Sequence, residues 1–82
     1  MTLFAWTRIG PHGWDLACGA MPRVAYVRMD TRTRRWYWVA GGNEAMPEEV
    51  QSRWLWSATE GSYETEEEAK KVCLAYVRGQ MK

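Results

Sequence analysis

Apolar and polar residues alternate along the first half of the chain, which is the pattern that β-strands produce. A period of two places successive side chains on opposite faces of a sheet. Turn-forming residues separate the alternating segments, beginning with the Gly10–Gly13 stretch. The pattern predicts strands at residues 2–9, 14–18, 23–29 and 35–40, and a last strand at 53–59.

The end of the chain carries a helical pattern instead. Thr65 and Glu68 have the spacing of a capping box, in which a side chain bonds a free amide of the first turn. The three acids Glu66–Glu68 oppose the positive end of the helix dipole. Apolar residues then recur at helical spacing. We therefore predict a helix over 66–78 that ends at Gly79.

These elements predict one α+β domain, residues 1–82, with four to five antiparallel strands and the C-terminal helix packed on one sheet face. Residues 41–52 are the longest irregular stretch, where Pro47 and the acids after it favour one helical turn. Because one short helix cannot cover both faces of such a sheet, one face stays open. We expect function to lie on that face.

Tryptophan is the unusual component of the chain, with six among 82 residues. Four of them form two Trp-x-Trp pairs, and strand alternation places each pair on one face. A pair can fill the core beneath the helix, since each large ring buries extensive surface. A pair can instead lie on the open face as a docking platform, because Trp is enriched among interface hot spots. Both arrangements satisfy the pattern.

Charge is balanced overall but segregated along the chain. The net charge of +1 is too small for binding nucleic acid by bulk charge. Residues 8–35 carry six arginines against two aspartates, whereas residues 44–68 carry eight glutamates against one arginine. Residues 69–82 carry four cationic side chains and no acid. This segregation predicts a molecule with a basic and an acidic end.

Arginines cluster on the predicted hairpin of the third and fourth strands, beside two tryptophans. Arginine contacts phosphates and tryptophan stacks on bases, so the strip suits a nucleoprotein partner. The same arginines can instead form a solvated tip that protects a sheet edge. The predicted partner-binding residues are Arg28, Arg32, Arg34, Arg35, Trp36, Trp38, Trp54 and Trp56.

The residue types that catalysis or metal binding needs are scarce. Cys18, Cys73 and His12 are the only cysteines and histidine, whereas a structural zinc site takes about four ligands. A nucleophile and base pair could use only His12, which lies in a predicted turn. No segment resembles a signal peptide or a membrane span. We predict a non-enzymatic cytoplasmic protein with reduced thiols and without cofactor, metal or membrane association.

The C-terminal third of the chain resembles two DNA-binding families. Its strand and helix start read Trp54-Leu55-Trp56, followed by Gly61-Ser62-Tyr63-Glu64-Thr65-Glu66-Glu67-Glu68-Ala69-Lys70-Lys71. This strand and aromatic-x-Thr-x-Glu-Glu-Ala helix start is similar to the plant ethylene-response-factor DNA-binding domain and the arm-binding domain of phage integrases. The resemblance implies a three-stranded sheet that lies in the major groove and is backed by the helix.

The whole chain also resembles the short, Trp-rich, single-domain proteins of phages and prophages, of which anti-CRISPR proteins are a part. This resemblance implies a phage-encoded inhibitor that binds and occludes a CRISPR–Cas surveillance complex in the cytoplasm of a bacterial host. The alternative is a DNA-binding module that acts through its sheet. A third possibility is a homodimer joined through the open sheet face with tryptophan at its centre.

Overall fold

One antiparallel sheet of five strands, arranged in chain order, forms the body of the protein. The computed structural model describes residues 3–51 and 56–80, except for the side chain of Asn43. The strands are β1 Phe4–Arg8, β2 Gly13–Cys18, β3 Met21–Asp30, β4 Arg35–Gly41 and β5 Ser57–Tyr63. The helices are α1 Gly42–Ala45, α2 Glu48–Gln51 and α3 Glu66–Gln80. The predicted α+β class, with its antiparallel sheet and packed C-terminal helix, is confirmed.

Strand β5 lies further along the chain than predicted. Its backbone pairs with β4 from Ser57, opposite Gly41, to Tyr63, opposite Trp36. The prediction of a last strand at 53–59 is therefore wrong at its C-terminal end, because pairing with β4 continues through Tyr63. The start of that predicted strand, residues 53–55, lies outside the described residues.

Helix α3 begins as predicted and ends later. The amide of Glu68 donates a hydrogen bond to Thr65 Oγ1 at 3.2 Å, which is one half of the predicted capping box. Gly79 is helical and has no left-handed backbone, so it is not the predicted cap and the helix runs on to Gln80. Within residues 3–51 and 56–80, no helix combines the length and apolar character that crossing a membrane requires.

The connection between β4 and β5 closes one end of the sheet. Helix α2 supplies the single turn predicted after Pro47, whereas α1 was not predicted. The chain enters α1 through Gly41, whose φ of 65° favours glycine. A Cβ atom at Gly41 would also overlap the ring of Trp56. This close approach fixes the connection against the sheet, where Met46 and Val50 are buried.

Helix α3 covers one face of the sheet, which we call the helix side, and the opposite face is the open face. Strand register aligns Leu16, Ala25 and Ala40 on the helix side, and Val27 lies opposite Trp38 on the same side. These residues are buried and share one core with the small residues of α3, which are Ala69, Cys73 and Val77. The core therefore lies between the sheet and α3.

Candidate binding face

The first Trp-x-Trp pair lies on the helix side. Trp38 is 3% exposed, and its ring centroid lies 5.3 Å from that of Tyr76 in α3. The indole N–H of Trp38 donates to the hydroxyl of Tyr63 at 3.4 Å. Trp36 is half-buried against the same core. The prediction that Trp38 binds a partner is thus corrected, because its ring fills the core and leaves almost no surface to contact.

The second pair is described in part. Trp56 packs edge-on against Tyr76, with ring centroids 5.8 Å apart, and so also belongs to the helix side. Trp54 lies outside the described residues. Of the two predicted possibilities, core filling and docking on the open face, Trp36, Trp38 and Trp56 therefore adopt core filling.

Two further tryptophans, which the sequence analysis did not single out, also lie on the helix side. Trp6 and Trp14 both pack against the core. The ammonium of Lys70 in α3 lies 3.6 Å from the ring centroid of Trp14 and 5.4 Å from that of Trp6. Every tryptophan that the structure describes thus packs in or against the core between the sheet and α3. The possibility of a dimer with these tryptophans at the centre of the open face is overturned.

The open face carries a polar group of side chains that we call the Tyr–Arg cluster. Strand register places Asp15 of β2 opposite Tyr26 of β3, and Arg28 of β3 opposite Tyr37 of β4. Arg23, at the start of β3, completes the cluster. Period-two alternation predicts the shared face of Tyr26 and Arg28, and the structure confirms it.

Hydrogen bonds hold the guanidinium of Arg28 in place. Its Nη2 donates to Asp15 Oδ1 at 2.9 Å, and its Nη1 donates to the carbonyl oxygens of Trp14 and Val27, each at 3.0 Å. The side chain crosses Gly13, where a Cβ atom would lie 2.8 Å from Arg28 Cδ. Glycine at this position therefore leaves the space in which the guanidinium lies flat on the sheet.

Tyr26 is flanked by two guanidinium groups. The Cζ atom of Arg28 lies 4.7 Å from its ring centroid and that of Arg23 lies 5.6 Å away. Arg23 itself donates to the carbonyl oxygens of Ala45 and Glu44, which fixes α1 beside the cluster. Burial raises the pKa of Tyr26, and the Glu44 carboxylate adds to the rise. The phenol therefore stays protonated at neutral pH and can donate a hydrogen bond.

The Tyr–Arg cluster borders a shallow groove of about 470 Å³. Pro11 and His12 of the first turn form one part of its wall, and Glu44 of α1 forms another. Half-buried tyrosines and arginines with restricted side chains are typical of protein interfaces. Among residues 3–51 and 56–80, no group of His, Cys, Asp and Glu side chains could hold a metal ion. The tyrosine and arginine side chains that border the groove are of the kind that contact a partner's surface.

The predicted arginines separate into two places. Arg28 belongs to the open face, whereas Arg32, Arg34 and Arg35 lie at the turn between β3 and β4. Asp30 organises this turn, because its Oδ1 accepts the amide of Arg32 at 2.9 Å and its carbonyl accepts the amide of Arg34 at 2.7 Å. The side chain of Arg32 is 89% exposed. The turn thus presents cations at the tip of the sheet, apart from the Tyr–Arg cluster.

Acidic and basic segments meet at this same end of the sheet. Arg35 pairs with Glu64 at 3.5 Å, and Arg8 pairs with Glu66 at 3.9 Å. They meet because the start of β4 lies beside the end of β5, from which the chain enters α3. Separate basic and acidic ends, as predicted from the sequence, therefore do not form here.

Both cysteines are free and buried. Burial raises the pKa of the Cys73 thiol to about 12 and also raises the pKa of Cys18. Because the thiolate is the reactive form, both side chains act as small apolar core residues at neutral pH.

The sequence pattern placed Arg23 and Arg28 among the arginines of the hairpin but did not indicate Asp15, Tyr26 or Tyr37 as binding residues. Strand alternation was the signal that could have found the two tyrosines, because it places them opposite the face of Trp36 and Trp38. Asp15 and Arg23 become part of the cluster only through strand register and through α1.

No protein-family model, curated protein or solved structure matches the chain. Its function therefore has to be inferred from its own side chains. The arrangement that carries this inference is the Tyr–Arg cluster on the open face.

Proposed function

We propose that the protein is a non-enzymatic binding protein that occludes part of a larger partner through its open sheet face. The Tyr–Arg cluster is the observation that supports this proposal. Tyrosine and arginine are, with tryptophan, the residues that contribute most at protein interfaces. Arg28 is already fixed by Asp15 and by two backbone carbonyls. Less side-chain entropy is therefore lost when a partner binds.

The charge of the open face favours a protein surface over a bare phosphate backbone. The cluster holds one acid, Asp15, and the carboxylate of Glu44 acts on Tyr26 from beside it. These two acids equal in number the two cations of the cluster, Arg23 and Arg28. Nucleic-acid binding draws its affinity from excess positive charge, whereas protein interfaces use interspersed charges for register and specificity.

The partner that we propose is a CRISPR–Cas surveillance complex, as an anti-CRISPR-like inhibitor of phage origin would bind. The resemblance to anti-CRISPR proteins supports this choice. A small domain with one uncovered sheet face, held by hydrogen-bonded side chains, is suited to stoichiometric occlusion of a protein subunit in such an assembly. Catalysis has no part in this mechanism.

Binding to a purified CRISPR–Cas surveillance complex tests the proposal. We expect the chain to co-elute with the complex in size-exclusion chromatography. The double variant Tyr26→Ala/Tyr37→Ala should weaken binding at least about tenfold, because two half-buried anchors are removed. Lys71→Ala, at an exposed position of α3, is the control and should bind as the unmodified chain does. Equal binding by the double variant, or no co-elution at all, would refute the proposal.

Duplex DNA is the second candidate partner, and two observations favour it. Strands β3, β4 and β5, followed by α3, have the arrangement that the resemblance to DNA-binding families implies, which is a three-stranded sheet backed by a helix. At the tip of this sheet, the side chain of Arg32 is 89% exposed. In this alternative, arginines of β3 and of the turn contact phosphates while the open face enters the major groove.

An electrophoretic mobility shift assay with duplex DNA separates the two candidates. DNA binding predicts a shift that weakens steeply with salt and is reduced in Arg32→Ala/Arg34→Ala. Absence of a shift at low salt would contradict this alternative. The protein-binding proposal predicts that Tyr26→Ala/Tyr37→Ala weakens binding to the surveillance complex more than Arg32→Ala/Arg34→Ala does.

A further inference from the structure

Strand β1 is an edge of the sheet, and β2 is its neighbour. The amide of Ile9 donates to the carbonyl of Gly13 at 2.9 Å, and the carbonyl of Leu3 accepts from the amide of Gly19 at 2.9 Å. Because backbone groups of an edge strand point inward at alternate residues, the odd-numbered residues of this segment face β2. The residues whose amides and carbonyls point outward are Phe4, Trp6 and Arg8.

The segment around β1 also holds exposed apolar side chains. Leu3 is 67% exposed and Ile9 is 44% exposed, and they are the exposed large hydrophobic residues of the described ranges. Both lie on the open-face side of β1 by strand alternation. Edge strands usually carry a lysine, a proline or a bulge that prevents pairing, and residues 3–9 contain no lysine or proline.

The opposite edge of the sheet is protected. Strand β5 has a register shift against β4 at Trp36 and Tyr37, and Ser62 has a positive φ of 77°. A bulge of this kind prevents a further strand from adding, and the pairing of β1 with β2 has no such shift. The difference between the two edges points to β1 as the one that pairs.

We propose that two copies of the chain pair antiparallel through β1, around a twofold axis at Trp6. In this register Trp6 lies opposite the partner's Trp6, and Phe4 lies opposite the partner's Arg8. The outward-pointing residues then form hydrogen-bonded pairs, each of which exchanges two backbone bonds. Leu3 lies opposite the partner's Ile9, so the exposed apolar side chains cover each other.

Residues 3–9 are complementary to themselves in the antiparallel direction, which favours a second copy of the chain as the partner of β1. They also favour the axis at Trp6 over an axis at Arg8 or at Phe4. A twofold axis at Arg8 would bring two arginines face to face, which is unfavourable, and would leave Leu3 unpaired. An axis at Phe4 would leave Arg8 and Ile9 beyond the paired region. Pairing around Trp6 instead places each Arg8 against a phenylalanine ring and so adds a cation–π contact.

The dimer would be a continuous ten-stranded sheet, twice the five strands of one copy. An axis perpendicular to the sheet keeps the two open faces on the same side. Two Tyr–Arg clusters would then face one direction. The dimer does not depend on the proposed function, since it rests on β1 and on Leu3 and Ile9 that flank it.

Sedimentation equilibrium of the full chain tests the dimer from low micromolar to near-millimolar concentration. We expect the unmodified chain to be a dimer at the upper end of this range. Leu3→Lys/Ile9→Lys places like charges opposite each other and should raise the dissociation constant at least about tenfold. Leu3→Lys/Ile9→Glu places opposite charges there and should recover dimerisation. Both positions are exposed, so circular dichroism should show the same fold in each variant.

A chain that stays monomeric throughout this range overturns the proposal, as does equal dimerisation of the two double variants. Amide exchange followed by NMR locates the contact. The amides of Phe4, Trp6 and Arg8 should become protected as concentration rises, whereas those of Ala5 and Thr7 are already bonded to β2. If the chain is monomeric and these amides are protected only by the surveillance complex, the edge takes a foreign strand and a second copy is the wrong occupant.

Discussion

The two faces of the sheet use their aromatic residues differently. On the helix side, tryptophan rings fill the layer between the sheet and α3, because the fully buried residues of α3 are the small Ala69, Cys73 and Val77. On the open face, Tyr26 and Tyr37 stay half-buried beside guanidiniums that hydrogen bonds hold in place. The abundance of tryptophan therefore reflects how a short chain builds its core. The residues available to a partner are the tyrosines and arginines.

Neighbouring residues of β4 provide the sharpest contrast between the faces. Trp38→Ala removes a core ring and should lower the free energy of unfolding by about 3–5 kcal/mol, as for other large buried aromatics. Tyr37→Ala, on the open face, should cost about 1 kcal/mol or less. Urea denaturation measures both. Equal losses in the two variants would contradict the division between faces.

Alkaline pH should weaken the helix side through Cys73. Its pKa is about 12 in the folded protein against an ordinary 9.0, so the unfolded chain releases the proton first. The contribution of the thiol to stability is complete below pH 9 and is lost as pH rises toward 12. The loss is up to about 1 kcal/mol for each pH unit.

Cys73→Ala is the control for this pH dependence, because it keeps an apolar side chain without a titrating group. Urea denaturation of both proteins at several pH values should show their difference in stability shrinking above pH 9. If the difference in stability between the two proteins does not change with pH, then water reaches the Cys73 thiol and the core beneath α3 is less buried than the structure indicates.

The open face should respond to a single added methyl group. Gly13→Ala places a Cβ atom against Arg28 Cδ, so the guanidinium must leave its bond with Asp15. We expect a loss of about 1–2 kcal/mol in unfolding free energy, for the strain and the lost charged hydrogen bond. Binding to the surveillance complex should weaken as well. Gly79→Ala meets nothing within 4 Å and should instead stabilise α3 by about 0.5–1 kcal/mol.

Strand alternation in the sequence predicted the faces of β3 and β4 because its period does not depend on tertiary contacts. It could not predict which face α3 covers. The apolar residues Val27 and Val39 lie on different faces, since Val27 lies opposite Trp38 and Val39 lies opposite Tyr26. Strand register in the hairpin of β3 and β4, rather than amino-acid composition, places Trp38 beside the core residue Val27.

The last strand shows the limit of local propensity. The aromatic stretch before Ser57 has the stronger strand composition, yet the strand continues to Tyr63 through Glu60 and Gly61, which are poor strand formers. Backbone pairing with β4 outweighs that preference. The ion pair of Arg35 with Glu64 follows from the same pairing of β4 with β5. Because the two residues are far apart in the sequence, no local pattern could predict their contact.

Footprinting by hydroxyl radicals tests the division between faces most directly, in the chain alone and after addition of the proposed partner, a purified CRISPR–Cas surveillance complex. We expect Tyr26 and Tyr37 to react in the free chain and to lose reactivity on binding. Trp36 and Tyr76, on the helix side, should react equally in both states. Protection confined to the helix side, with both tyrosines of the open face unchanged, would contradict the assignment of partner binding to the open face.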